Sequence, residues 1–210
     1  MDVAPGRSAL LRLTILAFVL VLGLSVSAAA QPTISVRGNV GASFFRSPDA
    51  LSEALHSGVD LGIGAGIRVY RGLSVTVRGG YDQFSLNEET ARLYQQIEVG
   101  DLSFLSGSIG LRYTYTNDSD AHPYGAIGVG VYRASSSNRK QFSQGQLIQE
   151  RPKQVSTEIG GHLAIGSLFR LDDTYAVFFE PRYVFYNVAE NLGGTIRYFT
   201  LRLGVDVKLN

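Results

Sequence analysis

From Val59 to Tyr70 the chain alternates with a period of two: Val59, Leu61, Ile63, Ala65, Ile67 and Val69 share one parity, and Asp60, Gly62, Gly64, Gly66, Arg68 and Tyr70 share the other. In an extended strand the two parities are opposite faces, whereas a helix would scatter both sets around its circumference. Seven further stretches repeat the pattern, and the connections between them alternate long, short, long, short to the end. That rhythm predicts an eight-stranded antiparallel up-and-down barrel.

The first strand runs from about Thr33 to Phe45, with Ile34, Val36, Val40, Ala42 and Phe44 on one face and Ser35, Arg37, Asn39, Gly41 and Ser43 on the other. A tight Arg71-Gly72 turn returns the second strand into the third, where Leu73, Val75, Val77 and Tyr81 oppose Ser74, Thr76, Arg78, Gly80 and Asp82. The fourth sets Leu105, Ile109, Leu111, Tyr113 and Tyr115 against Ser106, Ser108, Gly110, Arg112 and Thr114. The fifth, Tyr124 to Arg133, sets Ile127, Val129 and Val131 against Ala126, Gly128, Gly130 and Tyr132. In the sixth, near Ser156 to Phe169, Ile159, Leu163 and Ile165 oppose Glu158, Gly160, His162, Ala164 and Gly166. The seventh, Tyr175 to Tyr186, sets Val177, Phe179, Tyr183 and Phe185 against Ala176, Phe178, Glu180, Arg182 and Val184, and Pro181 within it argues for an irregular ladder. The eighth sets Phe199, Leu201, Leu203, Val205, Val207 and Leu209 against Thr200, Arg202, Gly204, Asp206 and Lys208.

Four long loops are expected, at about Arg46 to Gly58, Leu86 to Asp101, Ser135 to Gln154 and Asn187 to Gly194. Residues Ala50 to Leu55 can form a helical turn in the first, and Tyr94 to Val99 can extend the strands beyond a bilayer in the second. Three short turns, at Arg71-Gly72, Asn117 to Asp120 and Arg170 to Asp173, occupy the opposite end.

Alternation alone leaves open whether the apolar face meets lipid or a soluble core. The glycines decide for lipid. Facing water, Gly62, Gly64, Gly66, Gly128, Gly130 and Gly160 would each weaken a strand by roughly 0.5–1 kcal/mol. Facing inward, they make room for Arg and Tyr side chains in a barrel just wide enough to be filled. Even strand number, short turns at one end and long loops at the other agree with an outer-membrane barrel, its loops extracellular and its termini periplasmic. Tyr113, Tyr115, Tyr124, Phe169, Tyr175, Phe185 and Phe199, near strand ends, are expected to form the interfacial aromatic girdles.

The N-terminal segment has Arg7 and Arg12 ahead of an apolar run from Leu13 to Val26, then Ser27-Ala28-Ala29-Ala30. Residues 1–30 read as a secretory signal peptide, with Ala28 and Ala30 at the peptidase-recognised positions and Gln31 the first mature residue. A retained anchor is the competing reading, against which the run is short and ends in small residues. Residues 31–210 then form the barrel domain, with no appended domain expected. With Arg7, Arg12 and Asp2 set aside from 19 basic and 18 acidic side chains, 17 of each remain, so nothing suggests a nucleic-acid partner. There is no cysteine, which excludes disulfides.

Three segments carry a resemblance. Pro123-Tyr124-Gly125-Ala126-Ile127-Gly128-Val129-Gly130-Val131-Tyr132 resembles the glycine-rich mid-barrel strand of the small outer-membrane β-barrels typified by the membrane domain of OmpA, OmpX and the opacity-type surface proteins. Glu180-Pro181-Arg182-Tyr183 is similar to their penultimate strand. The end of the chain, Arg202-x-Gly204-x-x-Val207-x-Leu209, is similar to the signal read by the barrel assembly machinery, although it lacks a terminal aromatic residue and carries an additional Asn210. The resemblance implies a barrel in outer-membrane lipid, inserted by that machinery and monomeric.

The inward charges are the main candidate chemistry. Arg78, Glu180, Arg182 and Arg202 fall near mid-height, and Glu180 and Arg202 on adjacent strands are placed to pair, so that ion pairs offset each other's desolvation and plug the lumen. Catalysis has little support. His162 and Glu158 are four residues apart, roughly 13 Å along a strand, and Asp172-Asp173 lies in a turn, where turn formation explains it. His56, His122 and His162 lack metal-ligand spacing, so no cofactor or metal is expected. The third long loop carries Arg139, Lys140, Arg151 and Lys153 against Glu150, a modest positive excess that suits either an ordinary solvated loop, the favoured reading, or contact with lipopolysaccharide phosphates or a host surface.

These observations point to a non-enzymatic outer-membrane barrel with a structural or surface-interaction role and its specificity in the loops. A narrow, porin-like solute channel is the first alternative, and a soluble periplasmic barrel holding an apolar ligand the second.

Overall fold

The computed structural model describes residues 33–47, 55–86, 97–98, 102–136, 139–143, 146–151, 154–187 and 195–209. The proposed signal peptide with its cleavage residues, nearly all of the suggested helical turn, most of the fourth loop and Asn210 lie outside them.

Eight strands close into one antiparallel barrel: β1 (Ile34–Ser47), β2 (Leu55–Tyr70), β3 (Leu73–Leu86), β5 (Leu102–Thr114), β6 (Ala121–Ser136), β9 (Gln154–Arg170), β10 (Tyr175–Asn187) and β11 (Thr195–Leu209). Each pairs with its neighbour in chain order, and the last returns to the first, from Ile34↔Leu209 to Phe45↔Tyr198. A tilted strand crosses a hydrocarbon core in about 9–11 residues, whereas these contain 13 to 17. They therefore continue beyond the bilayer, which is why β6 and β9 are longer than the apolar alternation alone predicts.

The two parities separate as expected. Outward positions are apolar and exposed, with Ile63 at 67% and Ile159 at 79%, while inward Asp60 and Arg202 are at 0% and 1%. An apolar exterior around a charged interior inverts a water-soluble fold and sets aside the soluble-barrel alternative. Tyr124 corrects one expectation. It shares the inward parity of Ala126 and Gly128 and is buried in the lumen, so it is not a girdle residue.

The loops also hold more structure than expected. Within the second and third long connections, β4 (Ile97–Glu98), β7 (Arg139–Ser143) and β8 (Gln146–Arg151) make a separate small sheet. β7 and β8 form a hairpin, and Ile97↔Gln141 and Glu98↔Lys140 join the two connections. These segments have too few apolar residues to show a period, so backbone pairing left no pattern to read.

The short turns follow local chemistry. Gly72 has φ 71°, a left-handed value that favours glycine, and a Cβ there would run into the carbonyl oxygen of Thr114. Asp172 Oδ1 accepts hydrogen bonds from the backbone N–H groups of Thr174 and Tyr175, both at 2.7 Å, and so organises its turn. At Pro181 the ladder to β9 lapses: Phe179↔Ser167 and Arg182↔Ala164 pair in the same register, with no pairing between them. Lacking an N–H, proline leaves a gap there without a bulge.

Inward glycines mark where strands must leave room. A Cβ on Gly166 would lie 2.5 Å from the carbonyl oxygen of Phe179 and 2.6 Å from the Tyr124 ring, whereas one on outward Gly125 would meet nothing within 4 Å. Gly166→Val is expected to cost roughly 1–3 kcal/mol through overpacking. Gly125→Val should stay within about 0.5 kcal/mol of the parent. Urea unfolding in lipid vesicles followed by circular dichroism distinguishes them, and equal losses would show that the inward space is not needed.

Candidate functional site

The lumen is where the sequence concentrates unusual chemistry, and its side chains stack in layers from the end with short turns to the end with long loops. Nearest the turn end, Asp206 on β11 receives two guanidinium groups. Arg37 on β1 donates to its Oδ2 through Nε and Nη2 at 3.0 and 2.7 Å, and Arg112 on β5 through Nη1 at 3.0 Å. The Arg37 guanidinium also lies 4.6 Å from the Phe178 ring centroid. Below this layer is a cavity of about 210 Å³ whose lining includes Arg68, Ser74, Arg112, His122, Asp206 and Lys208.

Glu180 links this layer to the next. Its Oε2 accepts from the Tyr124 hydroxyl at 2.9 Å and lies 3.8 Å from Arg37 Nη1, while its Oε1 lies 3.4 Å from Arg202 Nη1. At mid-height Asp60 on β2 is the centre of convergence. Arg202 holds it through Nε at 2.9 Å and Nη2 at 2.7 Å, Arg78 Nη2 stands 3.3 Å away, and the Asn39 amide also donates to it. Arg78 Nη2 in turn donates to Asn39 Oδ1 at 3.0 Å. A Cβ on Gly62 would intrude on both Arg78 and Asn39, so the glycine beside Asp60 is the space the guanidinium occupies.

Above Asp60, Asp82 accepts from Ser43 at 2.7 Å and from the Tyr198 hydroxyl at 3.1 Å. The Tyr132 hydroxyl lies 3.4 Å from Nδ1 of His162. The loop end is then filled by rings: Phe45, Phe84, Phe104, Tyr132, Tyr186 and Tyr198 pack with Val184 and Ile196. Phe104 stacks on Tyr198 at 5.7 Å between centroids and Tyr132 on Tyr186 at 5.0 Å, and Phe84 meets Phe104 edge-on at 5.6 Å.

Of the four charges singled out in the sequence, three therefore join one network. Glu180 and Arg202 are cross-strand partners, and Arg78 connects to them through Asp60. Arg182 joins only through longer-range attraction to Glu180. It is buried at 4% exposure, makes neither an ion pair nor a hydrogen bond among the described residues, and its Nε has no partner there. Of the residues expected to form an assembly signal, Arg202 and Gly204 face the lumen, and Val207 and Leu209 take the outward parity. Glu158 accepts from Ser156 at 2.6 Å, and among the described residues no cluster of three or more His, Asp or Glu side chains is placed to hold a metal.

Sequence reasoning missed two features. Asp60 was visible as an inward charge, but its partner Arg202 lies two strands away across β1, beyond any pairing of neighbours. The aromatic layer had a local signal, since Phe45, Phe84, Phe104, Tyr186 and Tyr198 occupy inward parity at the loop-side ends of their strands.

No curated protein matches the sequence. Among solved structures, Neisserial surface protein A is similar with a TM-score of 0.62 at 19% identity, over 85% of this chain and 100% of that one. A major outer membrane protein from Thermus thermophilus has a TM-score of 0.55 at 13% identity, over 84% of this chain and 99% of that one. At such identities the likeness concerns the fold. The sequence profile of the family described as "Outer membrane protein beta-barrel domain" matches residues 14–208, nearly the whole chain. With its closed eight-stranded barrel and apolar exterior, this chain belongs to that family, a bacterial outer-membrane β-barrel.

Proposed function

We propose that this protein has a structural or surface-interaction role, with a lumen closed by its own side chains and specificity carried by the long loops. The observation that carries the reading is Asp60, fully buried and held by the bidentate Arg202 and by Arg78 across the middle of the barrel. A carboxylate removed from water is stable only while such partners stay in place. Glu180 extends the same network downward, and the aromatic layer covers it from the loop end. A narrow solute channel is the second reading. It draws support from a small cavity of about 40 Å³ at the level of Arg78, Glu180 and Arg182.

The three short turns at one end and the long loops at the other support a periplasmic turn end and an extracellular loop end. In this reading the protein is a monomer, and the assembly machinery recognises Arg202, Gly204, Val207 and Leu209 on its last strand. The third loop, with Arg139, Lys140, Arg151 and Lys153, contacts lipopolysaccharide phosphates or a host surface.

Purified protein in planar bilayers is expected to show no large, stable openings, and such openings would overturn the closed-lumen reading in favour of the channel. Asp60→Asn removes the carboxylate that Arg202 and Arg78 share, leaving Arg202 with Glu180 alone, and should destabilise the barrel by about 3–5 kcal/mol, as measured by urea unfolding in vesicles. A loss below about 0.5 kcal/mol would show that Asp60 does not hold the lumen together. Deleting residues 137–153 should leave the barrel folded, with unchanged heat-modifiable gel mobility, and reduce binding to lipopolysaccharide-containing or host-cell surfaces. Unchanged adhesion and envelope integrity would remove the role assigned to this loop.

A further inference from the structure

We propose that the turn end of the lumen is a binding site for a small oxyanion of the phosphate or carboxylate class. The cavity there, about 210 Å³, has room for such an ion and several waters, at about 30 Å³ per water. His122, on the first turn-side residues of β6, lines it and is 6% exposed, yet neither ring nitrogen has a hydrogen-bond partner among the described residues. Arg112 lines the same cavity at the same low exposure, and its Nε is likewise without a partner. Buried polar groups are paired in the great majority of cases, so Arg112 Nε–H and the one N–H of a neutral His122 ring are two donors beside this cavity that call for an acceptor, while the remaining ring nitrogen is itself an acceptor.

The charge around the cavity has the matching sign. Asp206 is shared by Arg37 and Arg112, and Arg37 also reaches Glu180, itself shared with Arg202, so the guanidinium groups at this level are only partly neutralised. Arg68, Arg170 and Lys208 add positive charge toward the rim. Two carboxylates at the rim, Asp173 and Asp172, which accepts from the backbone N–H groups of Thr174 and Tyr175, offset part of that charge. Water can accept from Arg112 and His122 but brings no charge. An oxyanion supplies both the acceptor oxygens and the negative charge, and charge-assisted bonds are the stronger kind. The site is independent of whether the lumen above it conducts.

The mature protein, folded in detergent micelles with ¹³C-labelled histidine, is titrated separately with inorganic phosphate and with acetate, against sodium chloride at matched ionic strength. The ring resonance of His122, assigned with the His122→Phe variant, is expected to move saturably with phosphate, with acetate, or with both, and the arms show which source the site takes. Chloride should not reproduce the shift. Arg68→Gln, at the rim and outside the buried ion pairs, is expected to weaken the binding about fivefold, with Lys208→Gln as the second variant should the first fail the heat-modifiability check. No saturable shift with either anion, the same shift with chloride, or an affinity unchanged in both folded variants would overturn the assignment.

Discussion

Closure of the sheet is the constraint on which the rest of this barrel depends. Hydrocarbon offers no water to an unpaired strand edge, so the exposed N–H and C=O groups of β1 and β11 are tolerable only because the two strands pair with each other. Closing a sheet of eight strands also sets the diameter of the space inside, which is just wide enough to be filled by side chains. Every other residue on every strand is committed to that space by the pleat. An outward Ile63 and an inward Asp60 are thus consequences of one geometry, and an insertion of a single residue would exchange their environments.

The enclosed space imposes its own electrostatic condition. Asp60 is completely desolvated, and it tolerates this because Arg202 meets it with two parallel hydrogen bonds while Arg78 and Asn39 occupy its remaining side. Arg202 is itself shared with Glu180, and Glu180 with Tyr124 and Arg37. Arg37 continues to Asp206 and so to Arg112, and seven strands thereby contribute to one connected polar network: β1, β2, β3, β5, β6, β10 and β11. The glycines on the same face are part of this arrangement, because the Arg78 guanidinium lies where a larger residue at Gly62 would project.

How much of this was legible in the sequence depends on how far apart in the sheet the interacting residues are. Parity assigned the faces, and adjacency of the last two strands placed Glu180 opposite Arg202, a pairing that needs only one register. Asp60 with Arg202 crosses over β1, and Asp206 with Arg112 crosses the lumen, so both depend on the barrel's curvature and stagger, which no pattern along the chain encodes. Tyr124 shows the opposite error: its parity already placed it inside, and reading it as a girdle residue gave an amphipathic ring's preference for interfaces more weight than the pleat. The β7–β8 hairpin was hidden for another reason. Its residues are predominantly polar, and backbone pairing between polar strands leaves no hydrophobic period.

The two ends of the lumen are built differently, and the difference bears on what the loops can do. At the loop end β1, β3, β5, β6, β10 and β11 each place an aromatic ring in one interlocked layer, while β2 and β9 contribute Gly58 and Gly160, where a Cβ would come within 2.8 Å of the Phe84 ring and 3.1 Å of the Tyr132 ring. The layer thus spans the barrel directly beneath the points where the long loops depart, fixing the loop roots through contacts that do not involve the loops. At the turn end the connections are short and already set by Gly72 and Asp172, so no such layer is needed and the interior stays polar around His122 and Arg112. A rigid rim under variable segments is the arrangement by which recognition loops are commonly held. The aromatic layer therefore uncouples loop sequence from barrel integrity: residues beyond the rings can change without disturbing the charges below them.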